Sequence, residues 1–86
     1  MYEVVYLDSV EKDFKKIDAP SVKRIINKIE RNLAKDPYVL GEALKGRFKG
    51  MWRYCIGNYR VIYKIAEKEI LIVIAHVAHR KSIYKD

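Results

Sequence analysis

Cysteine is nearly absent from this sequence. A single one, Cys55, rules out an internal disulfide, so a reducing compartment, the cytoplasm, is the expected setting. The longest aliphatic run, "ILIVIA" from Ile70 to Ala75, is far too short to span a bilayer, and no membrane partner is expected. The opening "MYEVVYLDSVEKDF" meets acidic residues early and has no basic segment followed by a long apolar run, so a signal peptide is not expected. Histidine and cysteine do not cluster at metal-ligand spacing, which argues against a metal site. There is no glycine-rich phosphate loop before a helix, no apparent Ser-His-Asp set, and no small-molecule cofactor motif. Ser9, Ser21 and Ser82 fall in cap-like or tail positions. Carboxylates are in the minority: 11 Asp and Glu stand against 18 Lys and Arg, for a net charge of +7 and a pI near 9.6. That imbalance points to a polyanionic partner such as nucleic acid, an anionic surface or an acidic protein.

What is present describes one small globular domain over residues 1–86. With 50% hydrophobic and 34% charged residues the chain is not of a disordered type. A chain of this length buries roughly 60–65% of its extended surface, enough for one sheet-plus-helix core. "YEVVYLD" (2–8), rich in Val and Tyr, predicts an opening strand. Asp8 with Glu11 resembles a capping box, and Val10, Phe14 and Ile17 then recur at helical spacing. "DAP" ends that helix; Asp18 can cap the next, and Pro20 fits its first turn. Val22, Ile25, Ile26, Ile29 and Leu33 form the apolar stripe of a second helix, running to about Lys35 before "DP" stops it. "YVLGEALKGRFKG" is expected to be a loop carrying Lys45, Arg47 and Lys49. Three strands follow at about 50–56, 58–66 and 69–78, the first two joined by a tight turn at Gly57-Asn58. Apolar residues on both faces of "ILIVIAHVA" mark that strand as interior to the sheet. The expected fold is therefore α+β, in the order β-α-α-β-β-β: an N-terminal strand, a helical hairpin, then a three-stranded antiparallel meander, with the helices on one face.

The alternation along "WRYCIGNYRVIYKI" separates two faces. Trp52, Tyr54, Ile56, Tyr59, Val61, Tyr63 and Ile65 share one, and the helices should cover it; these aromatics read as core. Arg53, Cys55, Arg60 and Lys64 share the other. Arg53 and Arg60 then lie on adjacent antiparallel strands near one turn, either as two solvated cations or as an anion site. Arginine's planar fork of donors suits phosphate oxygens, and two side by side repel unless an anion sits between them. The acidic residues cluster in the helices and at 67–69, away from these arginines. The tail "AHRKSIYKD" adds His79, Arg80, Lys81 and Tyr84 to the same neighbourhood. His76, among apolar neighbours, reads as structural. A catalyst built from these parts is a cationic one acting on a phosphodiester.

"LKG" at 44–46, "WRYCIGNYRVIY" at 52–63 and "VAHRKSIY" at 77–84, together with the element order, resemble the RelE/ParE toxin superfamily, in particular its RelE-like branch of ribosome-dependent mRNA interferases from type II toxin–antitoxin systems. The resemblance implies a cytoplasmic endoribonuclease, without metal or cofactor, that cuts mRNA in the ribosomal A site by 2′-OH attack on the adjacent phosphate. It implies that Arg60 contacts the scissile phosphate, that Arg80 stabilises charge or assists the leaving oxygen, that Tyr84 acts as base, and that Arg53 adds a strand cation. Lys45, Arg47, Lys49, Lys64, His79 and Lys81 would bind RNA, with 16S rRNA around the A site as further contact. Cys55 stands where a family member carries a second strand lysine. Three cations around a phenol would lower its pKa from about 10 and make it a usable base; they would also stabilise the phosphorane charge. His79 is a rival base with a better starting pKa, but as the neighbour of Arg80 on a strand it faces the opposite way. A ParE-like gyrase poison and an inactive antitoxin-binding relative are the alternatives. All three imply a cognate acidic, RelB-like antitoxin, drawn to the cationic face and to exposed aliphatics such as Ile62.

Overall fold

The computed structural model describes residues 1–81. Strand β1 (Glu3–Tyr6) leads into α1 (Asp8–Phe14) and α2 (Ala19–Lys28), which continues through one π turn at Ile29–Leu33. A single-turn helix α3 (Pro37–Leu40) precedes β2 (Glu42–Ala43); β3 (Trp52–Ile56), β4 (Tyr59–Ala66) and β5 (Leu71–His79) follow. The five strands form one sheet in the order β1-β5-β4-β3-β2. The β3-β4-β5 meander is antiparallel, as the spacing predicts, and β1 pairs in parallel with β5. The α+β expectation holds. A fifth strand, β2, lies where a plain loop was expected: only Glu42 and Ala43 pair, opposite Arg53 and Trp52, and two residues leave no periodic trace.

Helix α2 is built as its stripe dictates. Ile25, Ile29 and Leu33 are fully buried, and Asp18 caps the helix by accepting from the Ser21 N–H at 3.0 Å. Its carboxyl is held below the usual carboxylate range by the Ser21 side chain first and then by that backbone bond. At the other end the Ala34 N–H reaches back to the Ile29 carbonyl at 2.9 Å, and the Ala34 carbonyl accepts from Tyr2 N–H at 2.8 Å, tying the helix end to β1. The capping box expected at Asp8 and Glu11 does not form. Leu7 is the cap residue, with no side-chain cap bond, because its N–H continues the ladder onto the Ile74 carbonyl at 3.1 Å and the chain turns directly into the helix.

The helices cover one face of the sheet. Val10, Ile25, Ile29, Leu33, Ile56, Val61, Tyr63, Ile72, Ile74 and Val77 make the buried core, with Trp52, Tyr54, Tyr59 and Ile65 packed against it. Val22, Ile26, Phe14 and Ile17 remain half-buried and line an open groove of about 630 Å³ between α1 and α2, flanked by Lys15 and Lys23.

Helix α1 does a second job. Strand β1 is four residues long and pairs only with Leu71–Ile74, so the edge of β5 beyond that point has no strand partner. Ser9 Oγ donates to the Ala75 carbonyl at 2.7 Å, and Asp13 Oδ2 accepts from the Val77 N–H at 3.0 Å. Spaced i and i+4 on one helical face, the two side chains stand in for the missing strand. The bulge between Ile62 and Tyr63 in the β4–β5 register falls beside this stretch.

Candidate nucleic-acid interface

The uncovered face carries the cations. Arg53 sits opposite Ile62, and Arg60 sits opposite Cys55 on one side and Ala78 on the other. Arg53 and Arg60 are therefore diagonal neighbours, about 7–8 Å apart at that spacing. Lys64, exposed, is the other diagonal neighbour of Arg53, displaced toward the 67–70 turn. Arg80 follows β5; its N–H donates to the Asn58 carbonyl at 2.7 Å, extending the ladder by one residue and bringing Arg80 to the Gly57-Asn58 turn. In register it falls on the side of Ala78 and Arg60. The turn itself needs positive φ only at Gly57 (58°). Arg24, from α2, reaches the same turn, since a Cβ on Gly57 would lie 3.1 Å from its Nη2.

The remaining cations are spread more widely. Lys45, Arg47 and Lys49 occupy the β2–β3 loop, closed by the Leu44 N–H on the Met51 carbonyl at 2.9 Å and shaped by a 3₁₀ turn at Gly46–Phe48. The Arg47 guanidinium lies 6.0 Å from the Phe48 ring centre. This loop adjoins Arg53 rather than Arg60, because Met51 and Cys55 are four steps apart, about 14 Å along a strand. His79 lies on the helix-covered side, edge-on to Tyr59 with ring centres 5.8 Å apart. There it lines a cavity of about 410 Å³ with Asp13, Lys16 and Val77. Lys81 is exposed, and its N–H donates to His79 Nδ1 at 3.3 Å. His76 is open to solvent, its Nδ1 3.8 Å from Asp13 Oδ2. Tyr84 lies outside the described residues.

Two expectations are overturned here. Ile62 is not exposed: it keeps only 4% of its surface, because it occupies an interior strand between Arg53 and His76 and its neighbours close over it. The arginines are also not clear of acidic groups. Glu42, directly across β2–β3 from Arg53, forms an ion pair with its guanidinium. Glu42 was missed because the strand that carries it is too short to show a period, and Arg24 because its stripe position speaks only of helix packing. No described carboxylate pairs with Arg60.

A basic fold of this order, with Arg53 and Arg60 at diagonal positions on adjacent strands and Arg80 just after the last strand, defines a class, and comparison with known proteins identifies it. Residues 4–84 match the model of the ParE toxin of type II toxin–antitoxin systems (parDE). The chain belongs to that family, within the RelE/ParE toxin superfamily. It is similar to the toxin RelG of Mycobacterium tuberculosis, at 25% identity over 98% of this chain and 97% of RelG. Its fold matches that in the RelBE2 toxin–antitoxin complex of the same organism, at 24% identity and a TM-score of 0.88, with 92% and 98% of the two chains covered. It also matches the RelB–RelE antitoxin–toxin complex of Methanococcus jannaschii, at 26% identity and a TM-score of 0.68 over 93% and 94%.

Proposed function

We propose that this chain is the toxin of a type II toxin–antitoxin pair and acts as a metal-independent endoribonuclease on mRNA bound to the ribosome. The observation that carries this reading is Arg60. It stands on the uncovered face without a described carboxylate partner, diagonal to Arg53 and two register positions from the Arg80 backbone. In the proposed reaction the 2′-oxygen attacks the adjacent phosphorus, its proton passing to a base, while the bond to the 5′-oxygen breaks and that oxygen takes up a proton. Arg60 and Arg53 hold the non-bridging oxygens and neutralise charge that grows in the transition state. Arg80 supports the leaving oxygen, and Tyr84 takes the 2′ proton. His79 is the weaker candidate base, being turned toward Tyr59 and away from Arg60. Lys45, Arg47, Lys49 and Lys64 extend the cationic track toward 16S rRNA and the message. Action on ribosomes sets the chain in the cytoplasm.

The cognate antitoxin is proposed to be acidic and RelB-like. The groove between α1 and α2, apolar in its lining and flanked by Lys15 and Lys23, suits an acidic amphipathic segment. A second reading is gyrase poisoning, favoured by the parDE description of the matching family.

The test adds purified protein to programmed ribosomes and to naked mRNA, maps 3′ ends, and runs gyrase supercoiling in parallel. Cleavage confined to ribosomes is expected, with Arg60→Ala losing about 10²–10³-fold in rate, the scale of one transition-state charge contact. Gyrase inhibition without cleavage overturns the ribonuclease in favour of the second reading.

A further inference from the structure

The role of Glu42 is the least explained feature of the cationic face. It pairs with Arg53 from the facing position on β2, while Arg60 has no such partner among the described residues. The two ends of the pair differ in exposure: the Glu42 side chain keeps 66% of its surface and Arg53 only 28%. The carboxylate is the end free to leave.

Its position is nevertheless built. Strand β2 has two residues and little ladder of its own, so its register is set by what precedes it. The buried Tyr63 hydroxyl donates to the Pro37 carbonyl at 2.6 Å, pinning α3. Tyr38 stands edge-on to Trp52, ring centres 5.4 Å apart, and its hydroxyl donates to Glu67 at 2.8 Å. Gly41 lets the chain pass over Tyr63, since a Cβ there would be 1.7 Å from the tyrosine hydroxyl. Beyond β2, the Leu44 N–H on the Met51 carbonyl closes the loop. Glu42 is held between these fixings, at the register position opposite Arg53.

We propose that Glu42 is a displaceable counter-ion for Arg53: a positioning residue that aims the guanidinium across the face and gives way to an RNA phosphate. The inference rests on the ribonuclease reading. Two guanidinium groups at diagonal spacing repel, and neutralising one steadies the free protein. Exposed ion pairs hold weakly, so a backbone phosphodiester, which offers the same fork of oxygens and the same single charge, replaces the carboxylate easily once the strand's other phosphates are held by the neighbouring cations. Until it does, the carboxylate occupies the Arg53 fork. Affinity for RNA is thereby set lower than the count of cations implies.

The experiment measures binding of a fluorescent oligouridylate to the full chain by anisotropy across a salt series, for wild type, Glu42→Gln, Glu42→Ala, Arg53→Gln and the Glu42→Ala/Arg53→Gln double variant. Alanine removes the hydrogen bond that glutamine can keep. Tightening of about two- to fivefold is expected for Glu42→Ala, the scale of one exposed charge contact. The salt dependence should steepen by about 0.7 in log–log slope, because in the wild type the displaced carboxylate takes up the counterion that one single-strand phosphate releases, and without Glu42 that release is kept. In the Arg53→Gln background the same change should have no effect. Unchanged affinity and slope, or equal tightening with and without Arg53, overturns the proposal. So does unchanged binding with cleavage abolished, which would put Glu42 in the proton transfers. Binding that Glu42→Ala leaves alone, or no binding by any form, in a protein that still cleaves mRNA on programmed ribosomes removes only the role of Glu42; no cleavage on ribosomes removes the ribonuclease reading with it.

Discussion

The two faces of this sheet are made by the same strands and obey different rules. On the helix-covered face Val61, Tyr63, Ile72, Ile74 and Val77 are buried to 1% exposure or less, and no charged side chain is buried among the described residues. On the other face Arg53, Cys55, Arg60 and Lys64 alternate with them, residue by residue. Period-two geometry lets one strand supply both sets without compromise. The covered face is specified by volume, because a close-packed core penalises a gap or an overlap. The open face is specified by charge and spacing, and contributes little to holding the chain together. Ile62 is the exception that defines the boundary, an aliphatic on the open side that is nonetheless closed over by its neighbours.

Substitutions that separate the two faces have the largest expected effects. Ile29→Ala removes a fully buried side chain at the centre of the core and should cost about 2–5 kcal/mol in denaturant unfolding. Arg60→Ala should stay within about 0.5 kcal/mol of wild type in the same measurement, while removing most of the ribosome-dependent cleavage proposed above. A loss of several kcal/mol from Arg60→Ala would break the comparison, since it would make the open face structural.

The edge of β5 tests a smaller difference, between a strand partnered by a strand and one partnered by a helix. Asp13→Ala leaves the Val77 N–H without its acceptor at a part-buried position and should cost about 1–2 kcal/mol. The Val77 amide should lose hydrogen-exchange protection while Val61, in the interior of the meander, keeps its own. Equal protection at Val77 in the variant would mean that water serves the edge as well as the carboxylate does.

Much of this was legible in the residues because it is periodic. The stripe Ile25, Ile29, Leu33 and the alternation Tyr59, Val61, Tyr63, Ile65 each state their own geometry, and the two faces follow from them. What escaped has no period. Strand β2 exists because Glu42 and Ala43 happen to reach the β3 edge. Ser9 and Asp13 read as ordinary polar helix positions, since nothing local says that β1 stops opposite Ile74, three residues short of Val77. Asp8 looked like a cap until the ladder through Leu7 claimed the residue before it. Glu42 was misjudged for a related reason: distance from the arginines along the chain says nothing about distance across a strand pair.

The smallest predicted effect concerns the sheet end far from Arg60, where a carboxylate is held by phenols instead of guanidinium groups. The Tyr2 and Tyr38 hydroxyls both donate to Glu67 Oε1, at 2.6 and 2.8 Å. Those two bonds hold the Glu67 carboxyl below its ordinary range, while the bond to Glu67 pushes the Tyr2 phenol up to about 12. A carboxyl whose folded pKa is depressed contributes stability that is complete above its unfolded value, about 4.3, and is lost as pH falls through the folded one. The difference in unfolding midpoint between wild type and Glu67→Gln should therefore be steady near neutral pH and shrink below about pH 4. A phenol whose neutral form is favoured has the opposite limb: stability falls as pH rises from about 10, the unfolded value, toward the folded one. Tyr2→Phe should lessen that alkaline fall and leave the proposed Arg60-dependent cleavage untouched. A Glu67→Gln difference that persists undiminished to pH 3 would mean that the two phenols bind the neutral acid as well as the anion.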